Sequence, residues 1–510
     1  MLKKLLALSS LCFSVLLFVD VAKADVQDVP HLNAVSVEIY NKDAVTLNLN
    51  GLYFINNKST NESILVKPQS NLSLNKNSGI ISASFGAFNL SSNTQFSINE
   101  VSLINSVTNK LIVFTGTVGA KTAANSSNPD VVKYYNGEAA EYMGTYGSDW
   151  YIIKSIKGAY AGKNLAIPKN SNVAIMDVPS TNLLKVDNNK QYRGNIHFNI
   201  NSQVINTLSI ENYLKGVVPN EMPASWHPEA LKSQAIAARS YAHVKSRRGI
   251  LTRTVSSQVY NGYTSEDSRS NKAIDDTAGK VVKSGNSVIE TFFHSTSGGR
   301  TANVGDVWNS NQSSFPYLVT REDKFENSPH STWVNSFRSR TILNTFGYDN
   351  ATVLYDIQIG EKGANGEVGA VTLVTSKGTK TIEGNELTIR KLFPIEGFYG
   401  MLKSNWFDLA FTKQYQVQTN NGITDQFAVN GQTVQLANIT QPLVSDQVSI
   451  QTLEGVITKD TDPASITLEG KGWGHRIGMS QYGAKGYAEN GWTYDQILKH
   501  YFFGTTIGSL

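Results

Sequence analysis

Glu221 stands in the stretch VVPNEMPASW (Val217–Trp226), two residues after Pro219 and two before Pro223, with valines ahead of it and Met222 and Trp226 behind. A carboxyl group kept from water resists ionisation, so its pKa rises. One that stays protonated near neutral pH can act as a general acid. The two prolines limit backbone freedom and would hold the group in place. The same residues also fit a turn glutamate that points into solvent. Arg239, in AIAARSYAH, is a second candidate. Its guanidinium can reach into a cleft and pair with a carboxylate or a substrate oxyanion, or it can lie along core methylenes.

Two further stretches combine a histidine with hydroxyls and glycines. FFHSTSGGRT holds His294, Ser295, Ser297, Gly298 and Gly299, and GWGHRIGMSQYGAKG holds His475, Ser480, Gln481 and Lys485. Glycines allow tight turns and close ligand approach, so these two loops are candidates for opposite walls of a polar, substrate-binding cleft. Hydrogen-bonded structural histidines are the alternative. No G-x-S-x-G elbow and no H-E-x-x-H spacing occurs, so neither a nucleophile-elbow serine hydrolase nor a helix-borne zinc site is indicated.

These residues need a scaffold. PEALKSQAIAARSYAHVKSRR reads as a helix over about 228–248, with Pro228 at its first position, Glu229 at the positive end of its dipole and Gly249 to end it. Leu231, Ala235, Ala238 and Ala242 share one face, which places Arg239 on the shoulder of that apolar stripe. Before the helix, stretches such as VSVEIY (Val35–Tyr40) and AVTLNLN (Ala44–Asn50) alternate apolar and polar residues as half-buried strands do. The expected class is α+β: a β-rich multidomain protein with a mixed α/β catalytic core around one helix. The expected segments are a signal peptide over 1–24, an N-terminal β module over 25–125, the first part of the core over 126–345, a β-rich insertion over 346–460, and the remaining core, a Gly-rich loop and helices, over 461–510.

The totals narrow the setting. Lys3 and Lys4 precede the apolar run Leu5–Val19, and the Ala22-Lys23-Ala24 pattern suits cleavage before Asp25. This predicts a secretory signal and an exported protein of the periplasm, cell wall or exterior, with no transmembrane segment in the mature chain. Cys12, the one cysteine, lies inside that signal, so the mature chain has no disulfide, thiolate metal site or cysteine nucleophile. The net charge of +4 falls to +2 once Lys3, Lys4, Lys23 and Asp20 leave, too weak a bias to indicate nucleic acid. Aromatic residues make up 10% of the chain, which suits either a β-heavy fold or stacking on sugars.

Three blocks in order, IENYLKGVVPNEMPASWHPEALKSQAIAARSYA, FHSTSGGRTANVGDVW and GWGHRIGMSQYGAKGYAENGWTYDQILKHY, resemble the stage II sporulation protein D or amidase-enhancer (SpoIID/LytB) family. With the β segments between them the likeness covers roughly residues 170–510. The resemblance implies a lytic transglycosylase that cuts peptidoglycan glycan strands, preferably those stripped of stem peptides, between N-acetylmuramic acid and N-acetylglucosamine. It implies Glu221 as the acid and then the base, with Arg239 important to activity. It implies no cofactor, and as partners the glycan strands and a cell-wall amidase. The family's older name leaves a second reading open, a non-catalytic wall-binding factor that stimulates or recruits an N-acetylmuramoyl-L-alanine amidase. A hydrolysing muramidase would need a second carboxylate, for which Asp306 is one candidate. Some members of the family bind zinc through cysteines and histidines near a C-Q-V-Y-like stretch. Here Ser257 takes that cysteine's place in SSQVYNG, so no metal is expected and the loop must be held otherwise. Arg476 stands where a glycine is commoner.

Overall fold

A computed structural model describes residues 26–510, apart from 105, 361–362, 398–399, 414–415, 420–421, 426–432, 437–438, 443–446 and 461–463. The expected signal segment lies outside the described residues. The chain divides into two compact units, one ending at Ser209 and one running Ile210–Leu510.

The first unit is built of antiparallel strands. In Val35–Asn41 and Ala44–Asn50 buried and more open residues alternate as their sequences predict. One sheet places Gln203–Leu208, Asn195–Asn199, Gln95–Leu103, Tyr53–Asn57 and Glu62–Val66 side by side. A second contains Leu183–Val186, Ala44–Asn50, Ser70–Asn77, Ile80–Phe85 and Phe88–Ser92, and a third pairs Lys110–Phe114 with both Ala139–Tyr146 and Val173–Asp177. The boundary expected near 125 therefore falls inside this unit. Ala44–Asn50 pairs with Leu183–Val186, and Gln95–Leu103 with Asn195–Asn199, so strands from both sides of 125 share sheets. Such pairings between distant segments leave no local mark in sequence.

The described helices all lie in the second unit, short 3-10 turns aside: α1 (Ile210–Lys215), α2 (Val218–Glu221), α3 (Pro228–Ser246), α4 (Ser268–Asp276), α5 (Val304–Trp308), α6 (Ser339–Thr345), α7 (Glu386–Lys391), α8 (Gln481–Glu489) and α9 (Tyr494–Tyr501). α3 forms where the sequence places it. His227 caps it, its ring accepting the Glu229 N–H at 3.2 Å. It packs against α1, α4, α8, α9 and the strand Lys280–Ser284. Nearly every residue from Ala230 to Ala242 is buried, polar ones included, so α3 has no solvent face in its middle turns. Its alanines permit this, since a small side chain lets a neighbour approach from any side.

A lobe with its own core grows from this unit. Strands Thr332–Arg338, Ala464–Lys471 and Phe407–Lys413 form one antiparallel sheet, and Leu354–Ile359, Ala370–Thr375 and Gly378–Glu383 another. Trp333, Ile342, Leu373, Phe393, Phe407 and Leu468 are among its buried residues. The lobe thus begins with the strand at Thr332, ahead of the start expected at 346.

Candidate active site

Glu221 is the last residue of α2, a single helical turn. Pro219 sits in the first turn, where a missing N–H costs nothing. Pro223 disfavours helical geometry at Met222, which is extended (φ −137°, ψ 129°) and ends the turn. Val217, Val218 and Met222 are fully buried and anchor the turn, and the Gln481 amide donates to the Glu221 carbonyl at 2.8 Å. The Glu221 side chain is half-buried and faces a cavity of about 890 Å³. Its Oε1 accepts the Val259 N–H at 2.7 Å, which leaves Oε2 to carry a proton. Burial pushes the carboxyl pKa up from 4.5 to about 7, and the Val259 hydrogen bond only partly opposes it.

The cavity brings together Glu221, His294, Ser295, His475 and Gln481. Rings form much of its wall. His294 and His475 lie 5.6 Å apart, Trp308 is 5.0 Å from His475, and Phe292 is 4.7 Å from Trp308 and 6.0 Å from Tyr241. The two glycine-rich stretches do not face each other across a cleft. Phe293–His294 pairs in parallel with Met479–Ser480, so both run along one wall, and that wall is more apolar than expected.

Both histidines are uncharged at neutral pH. Burial lowers the His475 pKa to about 4, and burial followed by His475 itself holds His294 well below 6.5. His475 Nδ1 accepts the Ile477 N–H at 3.0 Å, and His294 Nδ1 donates to the Ile477 carbonyl at 3.2 Å. The first hydrogen bond assigns the His475 proton to Nε2 and the second assigns the His294 proton to Nδ1.

Ser297, Gly298, Gly299 and Ser480, expected to bind substrate, do not line this cavity. The N–H groups of Ser297 and Gly298 donate to Glu326 at 2.6 and 2.8 Å, and the Ser480 hydroxyl donates to the same carboxylate at 2.7 Å. The Gly299 N–H donates to the Ser297 hydroxyl at 3.1 Å. Gly298 has φ +77°, and a Cβ there would lie 2.7 Å from the Gly472 nitrogen. Through Glu326 these residues lock the two stretches together.

Arg239 is also absent from the cavity wall. It is fully buried, Nε and Nη2 donate to the two Glu211 oxygens at 2.8 and 2.7 Å, and Nη1 reaches the Lys280 carbonyl at 3.0 Å. It joins α1, α3 and the strand Lys280–Ser284. Of the two readings open in sequence, a cleft-facing or a packed guanidinium, it takes a carboxylate partner inside the packing, because α3 is covered on every side here. Asp306 lies elsewhere too, accepting from Asn303 and from the Ala364 N–H.

Sequence reasoning missed Glu290, Tyr241, Lys245, Trp308 and Trp473, all on the cavity wall. Glu290 is buried and ion-paired with Lys245 and, at 3.0 Å, with Arg248. The signal was the basic run KSRR at the end of α3, but its partner lies more than forty residues on. Ser257 ties down the SSQVYNG loop: its hydroxyl accepts the Thr252 N–H at 3.1 Å, and its own N–H donates to the Thr254 carbonyl at 2.9 Å. Among the described residues no cluster of three His, Cys, Asp or Glu is placed to hold a metal. Arg476 is fully buried with φ +62°, pairs with buried Glu367 at 3.0 Å and stacks its guanidinium 3.9 Å from the Trp406 ring centre.

Residues 199–283, which contain Glu221, its loop and α3, match the family model described as stage II sporulation protein (SpoIID). Over this segment the chain is similar to the stage II sporulation protein D family. It is 34% identical over 297 residues to a Bacillus subtilis protein named amidase enhancer, covering 58% of this chain and 40% of that one. It is 28% identical over 326 residues to the stage II sporulation protein D of the same organism, covering 60% of this chain and 76% of the relative. The chain thus spans well under half the length of the amidase enhancer. Among the described residues no helix is long and apolar enough to cross a membrane.

Proposed function

We propose that this protein is an exported, cell-wall-directed lytic transglycosylase that cuts peptidoglycan glycan strands between N-acetylmuramic acid and N-acetylglucosamine. The observation that carries this reading is Glu221: a half-buried carboxyl with a pKa near 7, fixed at one oxygen, facing a ring-lined cavity large enough for sugars. Protonated Glu221 gives its proton to the glycosidic oxygen as the C1–O bond breaks. The carboxylate then takes the proton of the muramic acid C6 hydroxyl while O6 bonds to C1. A 1,6-anhydro ring results, no water is consumed, and Glu221 ends protonated. A pKa near working pH suits a group that must do both.

Glu290 favours this route over hydrolysis. It faces the same cavity, but Lys245 and Arg248 hold its oxygens, so it is not poised to activate water. Arg239 supports the reaction at a distance by fixing α3 against α1.

The amidase-enhancer relative favours a second reading, a wall-binding factor that stimulates an amidase without cutting glycan. Incubating the protein with glycan strands stripped of peptides separates the two. Shortened strands with anhydromuramyl ends support the enzyme, and binding without cleavage supports the factor.

A further inference from the structure

We propose that a ladder of half-buried rings leading outward from the Glu221 cavity is a second glycan-binding surface, which grips anionic sugars beyond those being cut. The inference rests on the glycan-strand reading above. Trp473 lines the cavity. Its ring meets His330 edge to face at 4.4 Å, His330 meets Tyr482 edge to face at 6.5 Å, and Tyr482 meets Trp226 edge to face at 4.8 Å, so alternate rings turn their faces in different directions. Each of the four keeps part of its surface open. A lysine stands at each end, Lys403 with Nζ 5.4 Å from the Trp473 ring centre and Lys485 with Nζ 5.4 Å from that of Trp226.

The ladder is tied to the reacting group at three points. The Gly474 N–H donates to the Lys403 carbonyl at 2.9 Å, which joins one end to the cavity loop. Gln481, whose amide holds the Glu221 carbonyl, directly precedes Tyr482. The Trp226 N–H donates to the Pro223 carbonyl at 2.9 Å, closing the turn that follows Glu221. A strand bound along the rings would therefore keep a fixed register against the carboxyl.

Ring faces pack against the apolar C–H faces of pyranoses, and several in succession hold more than one sugar. The lysines add a requirement for negative charge. Lys403 Nζ has the ring nitrogen of His330 at 3.5 Å, and burial followed by Lys403 lowers the His330 pKa, so that neighbour stays neutral. Among the described residues the ion-pair partner of Lys485 is Glu489, at a loose 3.7 Å and largely open. N-acetylmuramic acid freed of its stem peptide carries a lactyl carboxylate. A strand of such sugars offers apolar faces and periodic negative charge together, and a neutral N-acetylglucosamine polymer offers only the faces.

The test uses the full chain carrying Glu221→Gln, so that binding is read without cleavage, with two probes: peptide-free glycan strands and neutral N-acetylglucosamine oligomers. Replacing Lys403 and Lys485 together by Ala is expected to weaken strand binding about five- to tenfold at low salt, to flatten its salt dependence, and to leave the neutral oligomer unaffected. Trp226→Ala is expected to weaken both. A lysine variant with unchanged melting that binds the charged strand as tightly as its parent overturns the proposal. The two readings fail separately. With Glu221 intact, cleavage whose KM on long strands ignores the lysines removes the ladder and leaves the enzyme. Lysine-dependent binding without any cleavage removes the enzyme and leaves the ladder.

Discussion

The Val259 N–H donates to Glu221 Oε1 at 2.7 Å, and so couples the acid to the loop that the Ser257 hydroxyl ties to Thr252. A hydrogen bond to the charged form lowers a carboxyl pKa and burial raises it. Here burial wins, and the value settles at about 7. The loop thus fixes the acid's position and keeps its pKa from rising further.

This balance predicts a dependence of stability on pH. The unfolded chain releases the Glu221 proton near the ordinary value, and the folded chain holds it to about 7. Between those values the unfolded state binds fewer protons, so stability declines as pH rises, and the penalty is complete above about 7. Glu221→Gln removes the penalty. The variant is expected to match the parent near pH 4 and to exceed it at pH 8 by about 1–3 kcal/mol. Urea midpoints at the two pH values measure this.

Arg239→Ala strips Glu211 of its cation, leaving it the Gly279 N–H, and takes a donor from the Lys280 carbonyl, and is expected to cost about 3 kcal/mol of stability, the range for breaking a buried pair. Arg239→Lys keeps the charge but loses the two-pronged contact and should fall between the two. If Arg239 acts only through the fold, whatever enzyme remains folded should keep the parental pH profile. Equilibrium denaturation beside a pH–rate profile checks both halves.

Arg476→Gly tests which of two opposing effects dominates. Glycine relieves the positive φ, worth about 1 kcal/mol. It also strands Glu367 without its cation, which costs about 3–5 kcal/mol. Net destabilisation is expected, with partial recovery when Glu367→Gln is added. A double-mutant cycle on melting measures the coupling.

The loop at Ser257 predicts indifference to chelators. Incubation with EDTA should change neither the melting temperature nor glycan cleavage. Ser257→Ala should lower the melting temperature by a few degrees, for the loss of about 1 kcal/mol of hydrogen bonding.

How far these features could be read from sequence depended on whether their causes were local. α3 was visible because its proline, its alanines and the glycine beyond it mark a helix by themselves, and the prolines around Glu221 pointed to a rigid turn. The destination of Arg239 was not visible, because Glu211 and Lys280 come from other elements and the helix is covered on every side. Ser297, Gly298 and Ser480 looked like ligand groups until Glu326 supplied their acceptor. The apolar cavity wall was hidden because Tyr241, Phe292, Trp308 and Trp473 meet only after the chain has folded.

The central claim is that Glu221 donates and recovers a proton while a wall glycan is cut without water. Mass spectrometry of products from peptide-free glycan strands tests it most directly. The account predicts 1,6-anhydromuramyl ends from the parent, loss of roughly a thousandfold or more in rate with Glu221→Gln, for removal of an essential general acid, and a rate that falls as pH rises above about 7. Reducing muramic acid ends, or anhydro ends that persist undiminished in Glu221→Gln, would contradict it.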